Sequence, residues 1–467
     1  MKEPGTILLV ACYELGHQPL AVAWPAAFLE RAGYAPATMD VSVEPFDADK
    51  VRRARLIAIS VPMHTALRLG VTVAERTRAL NPGAHICFFG LYASLNAEHL
   101  LEHGADSVLG GEVEMKLIEL AERAAAEGEA TPRTIRGVTR RGERAAPVLE
   151  RLDFPLPSRA QLPALKKYAH LERDGERLPA GYVEATRGCL HLCRHCPIPP
   201  VYGGRFFAVP RDVVLGDVAQ LVEAGARHIT FGDPDFLNGP RHALAVAREL
   251  HERFGDITFD FTAKVEHLLR HREHLAEFRR LGCLFIVSAV ESLSDTVLGH
   301  LDKGHTRADV AEMLRLVREA GITLRPTWVP FTPWTTLGDY RDMLAFVQQE
   351  GLIDHVDTVQ YSIRLLVPPG SLLLASDAMR PHLDGLVASD FYHRWRHPDP
   401  RMDALHERVG DVVAEAADRS EDAIITFHRV RSLADAADGQ ETAGSSPGTP
   451  VDAKRRRPPR LTEPWFC

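Results

Sequence analysis

Residues 188–200 read Gly188-Cys189-Leu190-His191-Leu192-Cys193-Arg194-His195-Cys196-Pro197-Ile198-Pro199-Pro200. Three cysteines stand in a C-x3-C-x2-C spacing, directly after a strand-like run at 182–185. Thiolates ligate iron–sulfur clusters because soft sulfur matches iron. Four thiolates would saturate a [4Fe–4S] cluster, whereas three leave one iron open to chelate a small molecule. The competing reading is zinc, with His191 or His195 as the fourth ligand. Zinc knuckles usually offer two C-x2-C pairs or a distant Cys/His pair, and this chain offers one triplet.

Working outward, a strand–helix rhythm begins at the cysteine loop. Residues 182–185, 228–231, 258–262, 284–290, 323–329 and 359–364 read as strands, with helices at 212–224, 242–254, 272–281, 307–320 and 337–350. Six such units imply a full or partial (β/α) barrel with its active groups at the C-terminal strand ends. Toward the N-terminus, strands at 7–11, 56–61, 85–89 and 107–109 alternate with helices at 19–32 and 113–125. That pattern predicts a doubly wound, Rossmann-like parallel sheet. The expected layout is an α/β domain over 1–130, a connector with short strands over 131–180, the barrel over 181–385, a helical region over 386–433, and a flexible linker with a tail over 434–467. The linker reading rests on the Ala, Gly, Ser, Thr, Asp and Pro of 434–451. The basic run Lys454-Arg455-Arg456-Arg457 reads as solvated.

The net charge of -8 gives no basic footprint for nucleic acid. No run of about 18 apolar residues suggests a membrane span. The first residues lack the basic and long apolar segments of a signal peptide, so the expectation is a cytoplasmic protein. Of the seven cysteines, Cys12, Cys87 and Cys283 are scattered as buried apolar thiols are.

The triplet and its setting resemble the radical SAM superfamily, in the group with an N-terminal cobalamin-binding-type domain. The resemblance implies a [4Fe–4S] cluster on Cys189, Cys193 and Cys196 with S-adenosylmethionine (SAM) at the open iron. It places His195 near the SAM adenine, where relatives usually carry an aromatic residue. It places Asp233 and Asp235, after the second barrel strand, near the SAM amino group or the substrate; the plain reading of both is a turn and a helix cap. Glu291 stands in a Glu-Ser segment like the one whose acid contacts SAM. Arg325 is the candidate for the SAM carboxylate, or a structural pair. Lys264 and Glu266 read as strand-end groups or an ion pair. In the first domain, Gly110-Gly111-Glu112 resembles the last loop of a cobalamin domain, but no Asp-x-His occurs in residues 1–130. Cobalamin therefore either binds without a histidine ligand or does not bind; His17 and His64 are the stand-ins.

A narrower resemblance rests on residues 231–244 (FGDPDFLNGPRHAL), 258–267 (TFDFTAKVEH), 286–292 (IVSAVES) and 331–337 (FTPWTTL). Together they are similar to radical SAM proteins with a CUAEP or CCAEP tail, where U is selenocysteine. A sister group includes the radical SAM enzyme of arsinothricin biosynthesis, which moves a 3-amino-3-carboxypropyl group from SAM to arsenic. The resemblance implies that Cys467 is a catalytic thiol on a tail that reaches back into the site. It also implies a reading frame that continues through selenocysteine, which the codon after Cys467 decides. The expected function is transfer of a SAM-derived group, 3-amino-3-carboxypropyl or methyl, to a small molecule such as a metalloid or natural-product precursor. An electron donor of flavodoxin or ferredoxin type is the expected partner. The alternatives are cobalamin-dependent radical methylation and a non-catalytic metal or metalloid sensor.

Overall fold

The computed structural model describes residues 1–125, 135–439 and 455–463. The first domain is a sheet of β1 (Ile7–Ala11), β2 (Ala37–Asp40), β3 (Leu56–Ser60), β4 (His85–Phe89), β5 (Ser107–Leu109) and β6 (Val138–Thr139), ordered β2-β1-β3-β4-β5-β6. All neighbours are parallel except β6 on β5. Alternation along each strand sends residues to opposite faces. Leu9, Ala11, Ala58 and Phe89 pack with the helices Leu20–Arg31 and Glu114–Ala125, while Leu8, Val10, Ile57, Ile59 and Phe88 form a second core with the helix His64–Leu80. The order reverses between β1 and β3, which opens a crevice at the strands' carboxyl ends. The four expected strands are present. The short edge strand β2 is an addition, since Ala-Thr-Met-Asp carries little apolar signal.

The connector contains a hairpin that period-reading does not reveal. β7 (His170–Arg173) and β8 (Glu176–Val183) flank Asp174-Gly175, with φ of 51° and 86°. Two positive φ angles in a two-residue loop are the type I′ geometry that Asp-Gly favours. β9 (Thr186–Gly188) pairs antiparallel with β10 (Phe206–Ala208), and the cysteine loop lies between them.

The barrel is partial. Five strands run parallel: β8, β11 (His228–Phe231), β12 (Thr258–Ala263), β13 (Cys283–Glu291) and β14 (Thr323–Trp328). The sixth strand expected at 359–364 does not form. A 3-10 turn, Thr358–Tyr361, stands there, with one bridge between Phe331 and Arg364. The Gln360 side chain explains this, because its Oε1 accepts from the Trp328 N–H at 2.9 Å. An edge donor of β14 is thus satisfied without another strand.

The C-terminal region adds the hairpin β15 (Leu383–Val387) and β16 (Tyr392–Trp395), then the helices Pro400–Asp418 and Ala423–Ala437. The last helix runs to Ala437, so residues 434–437 are helical and not linker. β17 (Arg460–Leu461) then pairs antiparallel with β7 and completes the sheet β14-β13-β12-β11-β8-β7-β17. None of the described helices is long and apolar enough to cross a membrane.

Arg159 joins the connector to both domains. Its guanidinium donates to both Asp217 carboxylate oxygens at 2.6 and 2.7 Å, to Gln18 Oε1 at 2.8 Å and to the Tyr182 carbonyl at 2.8 Å. Arg159 and Asp217 are both buried. Arg159→Met leaves that carboxylate unpaired and should destabilise the protein by about 3–5 kcal/mol, measured by anaerobic urea denaturation. Adding Asp217→Leu should recover part of the loss.

Candidate functional site

The cysteine loop leaves β9 through Gly188, whose φ is 77°. A Cβ there would lie 2.5 Å from the Arg205 carbonyl and 2.6 Å from the Tyr202 ring, so only glycine fits. The loop is then pinned from outside. The Cys189 N–H donates to the Arg205 carbonyl at 3.1 Å, and the Arg194 N–H to the Leu301 carbonyl at 2.9 Å. Asn238 Oδ1 accepts from the Leu190 N–H at 3.2 Å and lies 3.8 Å from Cys189 Sγ. Cys189 and Cys193 are buried and Cys196 is half-buried; all three are free of disulfides. Burial pushes the Cys189 thiol up and that of Cys196 to about 12, helped by the neighbouring thiols and opposed by Lys303. Bound iron would reverse this, because a coordinating thiol is deprotonated.

The donor geometry separates a cluster from a zinc ion. Zinc–sulfur bonds of about 2.3 Å place tetrahedral sulfurs about 3.8 Å apart. Among the described residues, the groups of three ligating atoms within 4.8 Å are His191–Asp235–His267 and His271–Glu273–His274. The cysteines form no such group, so their sulfurs do not converge on one ion. They suit a cluster whose separate irons each take one thiolate. His191 is turned away, to Asp235 at 3.5 Å and to Lys264 Nζ at 3.1 Å.

Glu291 ends β13 with φ of 64° and is buried. Its Oε1 lies 3.2 Å from Lys303 Nζ and 3.3 Å from His195 Nε2. Burial raises its pKa, but Lys303 and His195 outweigh that and hold it at about 2. The two expected residues Glu291 and His195 are therefore together, beside the cysteine loop. Lys303 is a site residue that the sequence reading did not single out; its ammonium faces Glu291, Cys193 and Cys196. A lysine twelve residues beyond a strand-end acid is the signal that could have marked it.

The other expected residues are engaged elsewhere. Asp233 accepts from the Thr186 hydroxyl at 2.5 Å and the Ala185 N–H at 2.9 Å, which clamps β11 to the strand entering the cysteine loop. Burial pushes its carboxyl up to about 7 against these hydrogen bonds. Asp235 accepts from the Leu237 and Lys264 N–H groups and from His267 Nδ1 at 2.9 Å. Burial raises its pKa, but His191 and His267 hold it below the usual range. The Lys264 ammonium beside this group disfavours a metal ion there. Lys264 also pairs with Glu266 at 3.4 Å. Arg325 pairs in register with Val287, four residues before Glu291, or about 13 Å along the strand at 3.3 Å per residue. It donates to Asp357 at 2.9 Å, its Nη1 is unpartnered, and it lines a cavity of about 20 Å³ with Glu463.

Glu463 belongs to the tail, and the described part of the tail is docked. Arg455 bonds Asp354 at 2.7 Å and Asp422 at 2.9 Å and is largely buried. Arg456 meets Asp174, Arg457 meets Asp422 and Arg460 meets Glu172. The basic run is thus a strap ion-paired at its three arginines; Arg456 and Arg457 stay exposed, as a solvated run would be, and only Arg455 departs from that reading. Glu463 lies 2.6 Å from His17, whose ring stacks on Tyr182 at 4.6 Å. β17 runs in the direction of β8, toward the end where the cysteine loop begins. Cys467 lies outside the described residues.

A cavity of about 240 Å³ opens between the domains. It is bounded by Ser60, Phe89 and Gly111 of the first domain and by Glu184, Gly188 and Ile198 of the second. Gly188 and Ile198 flank the cysteine loop. Arg187 crosses the boundary, donating to Glu112 at 3.0 Å, Glu114 at 2.6 Å and Glu184 at 3.2 Å. His17 and His64 do not line the cavity; His64 bonds the Asp390 carbonyl at 2.7 Å. Among the described residues the cavity lining offers no histidine to cobalt, so the groups present would hold cobalamin only without a protein ligand.

Two outcomes test these contacts. Glu291 has a folded pKa near 2 against an ordinary 4.5, so its stabilisation is present above pH 4.5 and lost as pH falls toward 2. The wild type should lose about 3 kcal/mol through this group between about pH 5 and 2, and Glu291→Gln should lack that component in urea denaturation across pH. Arg455→Ala should free the strap, so that trypsin cuts after Arg456 severalfold faster.

Residues 183–338 match the family model for the Radical SAM superfamily. Hopanoid C-3 methylase of Methylococcus capsulatus is 25% identical over 327 residues, covering 68% of this chain and 62% of that protein. The chain thus spans less than two thirds of that relative. The solved structure of the cobalamin-dependent SAM radical enzyme OxsB with aqua-cobalamin bound gives a TM-score of 0.70 at 15% identity, covering 92% of this chain and 72% of that one. The radical SAM methyltransferase TsrM from Kitasatospora setae, with tryptophan substrate and a SAM analogue bound, gives 0.60 at 20% identity, covering 74% and 71%. At these identities the structural likeness is one of fold. The cysteine loop lies inside the matched segment, so residues 183–338 form a radical SAM domain, of the superfamily that uses a [4Fe–4S] cluster and SAM.

Proposed function

We propose that the protein cleaves SAM reductively at a [4Fe–4S] cluster on Cys189, Cys193 and Cys196, and transfers a methyl or 3-amino-3-carboxypropyl group to a small molecule. The carrying observation is the interdomain cavity, which touches both flanks of the cysteine loop. Held by these three cysteines, a reduced cluster would supply the electron that breaks a carbon–sulfur bond of the sulfonium. The chain's residues bind and orient. Glu291, held ionised by Lys303, offers a fixed acceptor to SAM, either to its ammonium or to ribose hydroxyls. His195, with its Nδ1 unpartnered and buried, provides a planar face and one open polar atom beside Glu291. Asp233 holds the strand that carries the loop. A flavodoxin or ferredoxin type of protein is the proposed electron donor.

Cys467 is proposed to act on the substrate from the tail. The direction of β17 supports this reading, as does the burial of Glu463 against His17. A second reading, cobalamin-dependent methylation, is supported by the domain layout shared with OxsB and TsrM. Cobalt analysis of the purified protein decides between them.

The test is anaerobic purification, cluster reconstitution, reduction with SAM, and identification of SAM products by mass spectrometry. 5′-Deoxyadenosine would point to methylation or hydrogen abstraction. 5′-Methylthioadenosine would point to aminocarboxypropyl transfer. Changing Cys189, Cys193 and Cys196 to Ala should abolish the cluster's absorbance and SAM cleavage, and retention of both sinks the proposal. Cys467→Ser should keep SAM cleavage and lose the transferred product; undiminished transfer removes the role given to the tail.

A further inference from the structure

The interdomain cavity carries an imbalance of charge. Arg187 faces three carboxylates: its Nη1 donates to Glu112 and Glu114 and its Nε to Glu184. It also lies over the Trp24 and Phe154 rings, at 5.4 and 5.0 Å. Glu112 spends its second oxygen on the Tyr202 hydroxyl at 2.9 Å. One cation among three acids leaves the group formally two charges negative. Burial also raises the Glu112 and Glu184 carboxyls, with Arg187 opposing.

Two acceptors at this cavity have no partner. Glu114 is 2% exposed, and its Oε2 bonds nothing while Oε1 holds Arg187. Ser60 is 1% exposed, and its Oγ is likewise unpartnered at the end of β3. Both residues line the cavity. Buried polar atoms are seldom left unpaired, because each costs about 1–3 kcal/mol. One carboxylate oxygen and one hydroxyl are too few for a hard divalent cation, which takes six or more oxygens. The neighbouring guanidinium repels such an ion as well. Glu184, Thr186, Arg187 and Tyr202 are the other polar groups of the wall, and the rest is apolar, including Phe89, Leu91, Val113 and Ile198.

We infer that the interdomain cavity binds a small, largely apolar molecule that carries an ammonium group, donated to Glu114 Oε2 and Ser60 Oγ. This rests on the proposed transfer reaction, for which it names the acceptor's chemical class. The ammonium offsets the excess negative charge, and the apolar body fills the space between Phe89 and Ile198. At about 30 Å³ per water-sized group, the 240 Å³ cavity takes about eight non-hydrogen atoms. A free carboxylate would meet Glu114 and Glu184 and be repelled.

The test uses the reconstituted full-length protein and calorimetric titration with benzylamine, benzyl alcohol and benzoate. The amine should bind at least about tenfold tighter than the alcohol, the scale separating charge-assisted from neutral hydrogen bonds. The carboxylate should be weakest. Glu114→Gln should bring amine and alcohol to within about twofold, and Ser60→Ala should weaken the amine severalfold. Ser60→Ala leaves the Arg187 contacts alone, and the wild-type series needs no variant. Absence of amine binding at millimolar concentration, carboxylate binding as tight as amine, or an amine preference unchanged in both variants overturns the inference. SAM products are assayed in the same preparation. SAM cleavage without amine preference refutes this inference alone, whereas failure of SAM cleavage refutes the transfer reading separately.

Discussion

The buried guanidinium of Arg187 is the joint on which the two domains close. It stands two residues before Cys189, on the strand that enters the cysteine loop, and two of its three carboxylate partners belong to the other domain. A charge taken out of water costs several kcal/mol unless it is paired and hydrogen-bonded. Arg187 can be buried only while Glu112 and Glu114 are delivered beside it, and those acids only while Arg187 is present. The position of the first domain is thereby tied to the position of the loop. The crevice at the ends of β1 and β3 then opens beside the cysteines and not toward bulk water.

Much of this could be read along the chain because it is local. The cysteine spacing, the apolar strand cores and the strand-end acid Glu291 are each contained in a few residues. What escaped depends on contacts between distant segments. Glu112 was noticed in its Gly110-Gly111-Glu112 loop, but its partners Arg187 and Tyr202 lie 75 and 90 residues further on. Gly111 follows the same logic, since a Cβ there would meet the Val148 carbonyl at 2.0 Å. No pattern near Gly111 announces that the connector crosses it.

The tail shows the same limit in the other direction. By composition, Arg455 and its neighbours belong in solvent. Their partners Asp354, Asp422 and the hairpin pair Glu172 and Asp174 come from three separate parts of the chain, and only the folded protein brings them to the tail. The missing sixth strand has a comparable cause. Residues 359–364 have strand-like content, yet Gln360 and Asp357 use their side chains on β14, and the backbone of that segment is released from pairing.

Asp233 and Glu291 show how two strand ends of one sheet assign different work to the same functional group. Both carboxylates are buried at the C-terminal end of a barrel strand. Asp233 meets a hydroxyl and a backbone amide, which are neutral donors, and its carboxyl sits at about 7. Glu291 meets the Lys303 ammonium and the His195 ring and sits at about 2. Neutral donors satisfy geometry without cancelling the cost of a buried charge, so Asp233 is suited to holding backbone in place. An ammonium cancels most of that cost, so Glu291 remains an anion throughout the working pH range. The strand that enters the cysteine loop is therefore fixed by one acid, while the permanent negative charge beside the loop is carried by the other.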